Sequence, residues 1–265
     1  MRVSMIWSVV LVLAVLPGGC GKGPATSPYP PGVDREITIE LGDGVAMELV
    51  LVPAGEFITG HKQGCDSQEP HKGMIIRPFY LGKYEVTQGQ WGAVMGGNPS
   101  EFKGAKNPVE NVSWEDCQAF VAKLNEKSGA DGGEFSLPTE AQWEYACQAG
   151  ATTAYGFGDD FSSIGDYAWY AGNSDKKTHP VGQKKPNGWG VYDMYGNVAE
   201  WCADRYSDDS PFEDPLESDS FEVRAWRGGS WGCDHPEIFR SRWSTNFPSD
   251  RHNNRGFRVA RTLAP

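Results

Sequence analysis

Residues 227–233 read RGGSWGC, and this stretch decides the fold. Three other short motifs accompany it: LPTEAQWEY at 137–145, GNVAEW at 196–201 and GFRV at 256–259. From Gly150 onward the sequence is rich in Gly, Asn, Asp and Trp and offers only short strand candidates. The chain is therefore expected to carry its regular helices in the first half and a largely irregular second half.

Capping residues mark the starts of three predicted helices, at Thr87, Ser113 and Thr139. The second and third helices carry apolar residues on one face with helical spacing, so these faces are predicted to pack in the core. Ahead of them, residues 36–53 alternate apolar and polar side chains around a Gly-Asp-Gly turn, which predicts a β-hairpin.

Together the four motifs resemble those of the formylglycine-generating enzyme (sulfatase-modifying factor) family, and the resemblance runs from Glu48 to Arg261. It implies an α+β fold that is a variant of the C-type lectin fold, with two main helices, short strands and a large irregular, loop-rich second half. One such domain is expected over residues 35–265.

The N-terminal residues predict export to a bacterial cell envelope and lipid anchoring there. Residues 1–19 have the form of a signal peptide, with Arg2 before an apolar stretch, and small residues lead to Cys20 as in a bacterial lipobox. Residues 20–34 are rich in Pro, Gly and Ser and are expected to form a flexible tether. Gly21 replaces the aspartate that retains lipoproteins at the inner membrane, which favours the outer membrane or the cell surface. Secretion without lipidation is the alternative.

The formal net charge of −11 makes nucleic acid and anionic lipid headgroups poor partners. Five cysteines follow Cys20, an odd number that leaves at least one thiol unpaired or intermolecular in an oxidising compartment. No two of them have Cys-x-x-Cys spacing, so a structural zinc site is not expected. These cysteines are Cys65, Cys117, Cys147, Cys202 and Cys233.

The turn that contains GNVAEW predicts a structural calcium site. Asp193 and Glu200 stand seven residues apart across a glycine-bearing turn, and calcium prefers carboxylates together with carbonyls from a tightly curved backbone. The alternative is a metal-free turn in which Glu200 accepts hydrogen bonds from backbone amides. The family resemblance implies further calcium ligands: the carbonyls of Gly196 and Val198 and, at a second site, Asn173 and Ser174.

Cys233 and Ser230, in the Gly-Gly-Ser-Trp turn, are the candidate catalytic residues. By the resemblance, catalytic family members carry two cysteines five residues apart that bind copper as thiolates, and soft thiolates select Cu(I). Here Ile238 occupies the second position, so copper is not expected. A family disulfide is missing as well, because Phe239 stands where the partner of Cys147 is expected, and Cys147 is predicted to be a buried free thiol.

The segment between the Gly-Gly-Ser-Trp and Gly-Phe-Arg motifs is the predicted binding surface. Arginine and aromatic residues are enriched in binding hot spots, and recognition concentrates on loops that a rigid scaffold holds. In related lectin-like display proteins this segment forms the ligand-binding face. Phe239 and Arg242 are expected to pack inside. The candidate binding residues are His235, Arg240, Trp243, Phe247, Arg251 and His252.

These observations favour an envelope-anchored, non-catalytic ligand- or protein-binding module, whose partner is an envelope protein or an extracellular ligand. The alternative is a copper-dependent formylglycine-generating oxidase that acts on a sulfatase cysteine. The missing second cysteine argues against this alternative.

Overall fold

The computed structural model describes residues 27–60, 70–128, 133–205, 223–234 and 243–264, with the backbone alone for 243–246. Two helices, α2 and α3, are the longest in this part of the chain. The strands and helices are β1 (Glu36–Gly42), β2 (Val45–Val52), β3 (Gly55–Thr59), β4 (His71–Ile75), β5 (Phe79–Gly82), α1 (Gln88–Met95), α2 (Trp114–Ser128), β6 (Phe135–Ser136), α3 (Glu140–Gln148), α4 (Ile164–Tyr167), β7 (Ala199–Arg205), β8 (Arg224–Arg227), β9 (Trp243–Asn246), β10 (Arg255–Gly256) and β11 (Ala260–Thr262).

Three sheets organise these strands. The largest has the order β1-β2-β5-β11-β6, with every neighbouring pair antiparallel, so the C-terminal strand β11 lies between two strands from the first half of the chain. The second has the order β10-β7-β8-β9, in which β10 and β7 are parallel. The third is the two-stranded ribbon of β3 and β4. The predicted hairpin of β1 and β2 is confirmed.

The second sheet separates two hydrophobic clusters. Side chains alternate between the faces of a strand, so neighbouring residues of β7 point to opposite clusters. Cys202 packs in the cluster that contains Trp143 of α3. Trp201 packs in the cluster that contains Phe120 and Leu124 of α2. The apolar faces of both main helices are therefore core, as their spacing predicts.

The predicted helix starts are confirmed by their capping hydrogen bonds. Thr87 and Thr139 each form a capping box with a glutamine three residues later. At the start of α2, the Ser113 amide donates to Asp116 Oδ2 at 2.9 Å and the Asp116 amide donates to Ser113 Oγ at 3.1 Å. Aspartate is therefore long enough to close this box, although glutamate and glutamine are the usual partners.

Residues 149–198 contain only α4 and one short 3-10 turn, Phe161–Ser163, as regular helices. Buried amide side chains order this loop-rich half instead. Asn187 Nδ2 donates to the Ala146 carbonyl at 2.7 Å, and Asn197 Oδ1 accepts from the His179 amide at 2.9 Å. The expected irregular second half is confirmed, and side chain–backbone hydrogen bonds satisfy backbone groups that lack a strand or helix partner.

The predicted signal peptide and the first part of the tether, residues 20–26 with the lipidated Cys20, lie outside the described residues. In the part of the chain that is described, no helix is long and apolar enough to cross a membrane. The four cysteines found there are all free thiols, and Cys65 falls outside the described ranges. These free thiols are Cys117, Cys147, Cys202 and Cys233.

Candidate functional site

The centre of the site is a buried ion pair between Glu200 and Arg258. Arg258 donates from Nε to Glu200 Oε2 and from Nη2 to Glu200 Oε1, both at 2.6 Å. Trp143 Nε1 also donates to Glu200 Oε2, at 2.7 Å. The remaining guanidinium hydrogen bonds go to backbone, because Nη1 donates to the Gly82 carbonyl and Nη2 to the Tyr192 carbonyl, both at 2.9 Å.

Both carboxylate oxygens of Glu200 accept from the Arg258 guanidinium in this geometry. Calcium binding by Glu200 stays a prediction, and so does the alternative of a metal-free turn. The donors to Glu200 are the Arg258 and Trp143 side chains, whereas that alternative named backbone amides.

Asp193 keeps part of the calcium prediction open. Its Oδ2 accepts from the Gly182 amide at 2.7 Å, whereas its buried Oδ1 has no hydrogen-bond donor among the described residues. Burial raises the pKa of Asp193 to about 6, with the Gly182 hydrogen bond and the Arg258 charge acting in the opposite direction. Calcium at this turn stays a prediction.

The other two predicted ligands of this turn, Gly196 and Val198, surround Asn197. A Cβ at Gly196 would collide with the Trp169 carbonyl, which explains the glycine there. The Val198 amide donates to Glu85 Oε1 at 2.9 Å, and Asn197 Nδ2 donates to Glu85 Oε2 at 2.7 Å. Glu85 is thus a third buried carboxylate of this region, and burial raises its pKa well above its ordinary value.

Asn173 and Ser174, the predicted second calcium site, use their side chains to hold their own loop. Asn173 Oδ1 accepts from the Tyr170 amide at 2.9 Å, and Ser174 Oγ donates to the Trp231 carbonyl at 2.7 Å. His179 Nε2 lies 2.7 Å from the Ser174 carbonyl, where it acts as the donor because a carbonyl only accepts. These hydrogen bonds hold the loop, and the second calcium site stays a prediction.

Cys233 sits in the Gly-Gly-Ser-Trp turn as a largely enclosed thiol. Its Sγ accepts from the Ser230 amide at 3.3 Å and lies 3.3 Å from Ser230 Oγ. Burial raises the pKa of the Cys233 thiol above its ordinary value, and the Ser230 contacts only partly oppose this shift. Metal binding and nucleophilic attack both require the thiolate, so the turn holds Cys233 in its less reactive form. The two candidate catalytic residues are thus close together.

The remaining described cysteines lie in the core. Cys147 is buried and free, as predicted, and burial raises its pKa to about 12. Cys117 and Cys202 are fully buried, and burial raises the pKa of each thiol well above its ordinary value.

The Gly-Gly-Ser-Trp turn is locked to its surroundings through Trp231. The Trp231 amide donates to the Asn197 carbonyl at 2.9 Å, and Trp231 Nε1 donates to the Asn253 carbonyl at 3.0 Å. The indole packs edge-on against Phe102 with a centroid separation of 5.5 Å. Beside Phe102, burial raises the pKa of Glu110 to about 7, although the Phe102 amide donates to it.

The predicted binding residues divide into three groups. His235 and Arg240 lie outside the described residues, as do Phe239 and Arg242, which were expected inside. Trp243 begins β9, where its backbone pairs with Trp226, and its side chain is not described. Phe247 is 47% exposed, and His252 is also exposed.

Arg251 has a structural partner. Its Nε and Nη2 donate to the two carboxylate oxygens of Asp116, each at 2.8 Å. This pair fastens the loop at 247–254 to the start of α2, with the Glu115 amide donating to the Pro248 carbonyl at 3.4 Å. Arg251 is therefore an anchor of the predicted face, and Phe247 and His252 are further exposed candidate residues on it.

The sequence reasoning missed Arg255, which stands immediately before the Gly-Phe-Arg motif. Its side chain is 5% exposed, and its guanidinium carbon lies 4.8 Å from the ring centroid of Trp201 and 4.7 Å from that of Trp226. The indication available in the sequence was that Arg255 is a third arginine, near Arg251 and Arg258, and belongs to no recognised motif.

The turn, the ion pair and the short mixed sheets define a C-type-lectin-like domain of the sulfatase-modifying-factor kind. The profile of the family described as "Sulfatase-modifying factor enzyme 1-like domain" matches residues 42–263, and the chain belongs to this family.

Two curated relatives and one solved structure show what the chain is similar to. "Chaperone protein LppX" of Paenibacillus barcinonensis is 34% identical over 236 residues, which cover 71% of this chain and 79% of that protein. "Formylglycine-generating enzyme" of Streptomyces coelicolor is 34% identical over 285 residues, covering 80% and 88%. "Treponema denticola variable protein 1" superposes with a TM-score of 0.74 at 31% identity, covering 86% and 99%. The recognised family and the fold class are confirmed.

Proposed function

We propose that this protein is a non-catalytic ligand- or protein-binding module that a lipid anchor holds at the bacterial cell envelope. The observation that carries the proposal is the state of Cys233. It is a lone, enclosed thiol that Ser230 contacts, and Ile238 follows where the resemblance places a second copper-binding cysteine. A copper site built from two thiolates has only one sulfur at this turn.

The names of the relatives span two kinds of activity, so family membership alone does not choose between them. One relative is called a chaperone, and a chaperone acts by binding other proteins. The other is called a formylglycine-generating enzyme, and its 34% identity is the observation that favours an oxidase as the second candidate. The single enclosed thiol of Cys233 favours the non-catalytic binding module.

The aldehyde assay separates the two candidates. We expect no formylglycine when the purified protein is incubated with a Cys-x-Pro-x-Arg peptide, copper and oxygen, because Cys233 lacks a partner thiolate. Mass spectrometry of the peptide measures the product, with the Streptomyces coelicolor enzyme as positive control. Copper-dependent aldehyde above the level of a Cys233→Ser variant would show that the oxidase candidate is the right one.

The anchor is tested by cell fractionation. Wild-type protein is expected with the membranes, because the lipobox-like residues before Cys20 direct acylation, and two or more acyl chains bind membranes firmly. A Cys20→Ser variant is expected in the soluble extracytoplasmic fraction. Wild-type protein that is soluble, or that begins at a residue other than Cys20, would contradict the anchor.

The binding surface is tested at two of its exposed candidate residues, Phe247 and His252. We expect a Phe247→Ala, His252→Ala double variant to recover envelope partners at least about fivefold less well than wild type in a quantitative pull-down. Ile76→Ala is the matched control, because Ile76 is 80% exposed and lies outside this loop. Both variants must keep the wild-type melting temperature. Equal recovery of every partner by all three proteins would remove the 247–254 loop from the binding surface.

A further inference from the structure

Arg255 is a buried cation without a counter-charge in the described part of the chain. The side chain is 5% exposed, and its Nε and Nη1 are enclosed with no hydrogen-bond acceptor. Trp201 and Trp226 cover the guanidinium, with ring centroids 4.8 and 4.7 Å from its central carbon. The rings attract the charge electrostatically, yet they leave its in-plane N–H groups unsatisfied.

The other buried arginines of the site show the usual arrangement. Arg258 is paired with Glu200, and Arg227 lies 2.8 Å from Glu140 and 3.0 Å from Glu144. Buried charges are normally paired in this way because an unpaired one loses its hydration without compensation. Arg255 departs from the pattern, and burial lowers its pKa to about 10.

The nearest acidic influence on Arg255 comes from Asp250, which only weakly offsets that burial. Asp250 Oδ2 already accepts from the Phe247 amide at 3.0 Å and so holds the turn of its own loop. An acceptor for the Arg255 N–H groups is therefore missing from its immediate surroundings in the described structure.

Arg255 lies at the base of the loop at 247–254. Its amide donates to the His252 carbonyl at 3.2 Å. The pKa of the His252 imidazole is lowered, first by partial burial and then by the positive charge of Arg255, so the guanidinium acts electrostatically on the imidazole. The loop therefore combines exposed Phe247 and His252 with an unsatisfied guanidinium beneath them.

We propose that Arg255 is the anion-binding residue of this loop and takes a carboxylate group of the ligand. A carboxylate is planar and accepts two parallel N–H bonds from one edge of a guanidinium, so it would take one of the two unsatisfied donors together with the adjacent Nη2. The ligand class is an acidic peptide or protein segment, whose carboxylate belongs to an Asp or Glu side chain or to a C-terminus. The proposal rests on the proposed function only in taking this loop as the binding surface.

The experiment needs no partner, because it titrates the purified protein with sodium acetate against sodium chloride at constant ionic strength. Acetate is expected to raise the melting temperature saturably by about 2–4 °C over chloride. It is also expected to shift the Nε–Hε resonance of Arg255 in a nitrogen-15 NMR spectrum. A tripeptide with a free C-terminus and an amidated one with an Asp side chain then distinguish the two carboxylate sources.

Three variants decide the assignment. Arg255→Met places an uncharged side chain of similar length between the tryptophans and is expected to abolish the acetate response without lowering the melting temperature in chloride. Arg255→Lys keeps the charge but lacks the planar pair of donors, and is expected to bind acetate at least about fivefold more weakly. Arg77→Met, at an exposed arginine outside this loop, is the control and should respond to acetate as wild type does.

An acetate response that survives in Arg255→Met, or that is absent from wild type, would overturn the proposal. A lower melting temperature for Arg255→Met in chloride, together with an unresponsive wild type, would identify Arg255 as a packing residue. Failure of the proposed function is a separate result, namely an aldehyde product or a pull-down that Phe247 and His252 do not affect. Neither of those results depends on the acetate titration.

Discussion

The carboxylate of Glu200 connects segments that are far apart in sequence. It lies on β7, it accepts from Trp143 of α3, and it pairs with Arg258 near the C-terminus. Arg258 in turn donates to backbone carbonyls at Gly82 and Tyr192. Two charges in a low-dielectric interior are stable only when geometry and hydrogen bonding are both satisfied, and removing one of them costs about 3–5 kcal/mol. This protein cross-link therefore helps to position the loop-rich half.

The Gly-Gly-Ser-Trp turn is held against this centre. Trp231 bonds to the carbonyls of Asn197 and Asn253, and Cys233 is enclosed beside Ser230. The turn is thus rigid and holds one thiol whose pKa is raised by burial. Arg251 and Asp116 then fasten the next loop to α2, so the face beyond the turn is a supported surface.

Local sequence signals predicted the elements well. The capping boxes at Thr87, Ser113 and Thr139 each depend on residues three positions apart, and all three form as expected. The ion pair of Glu200 was not predicted, because two acidic residues across a glycine turn are typical both of a calcium loop and of a buried ion pair. Only the spatial position of Arg258, 58 residues away, separates these cases. Arg255 was missed for a related reason, since its burial depends on tryptophans from two other strands.

A double-mutant cycle at Glu200 and Arg258, measured with calcium and with chelator, tests the central claim most directly. Glu200→Gln and Arg258→Met are each expected to lower the free energy of unfolding by about 3–5 kcal/mol, because each leaves the other group buried without its partner. The double variant should lose at least about 2 kcal/mol less than the sum of the single losses. Wild type should melt at the same temperature in both buffers. Additive losses, together with a wild-type sensitivity to chelator that disappears in Glu200→Gln, would contradict the account and show that Glu200 serves a calcium ion.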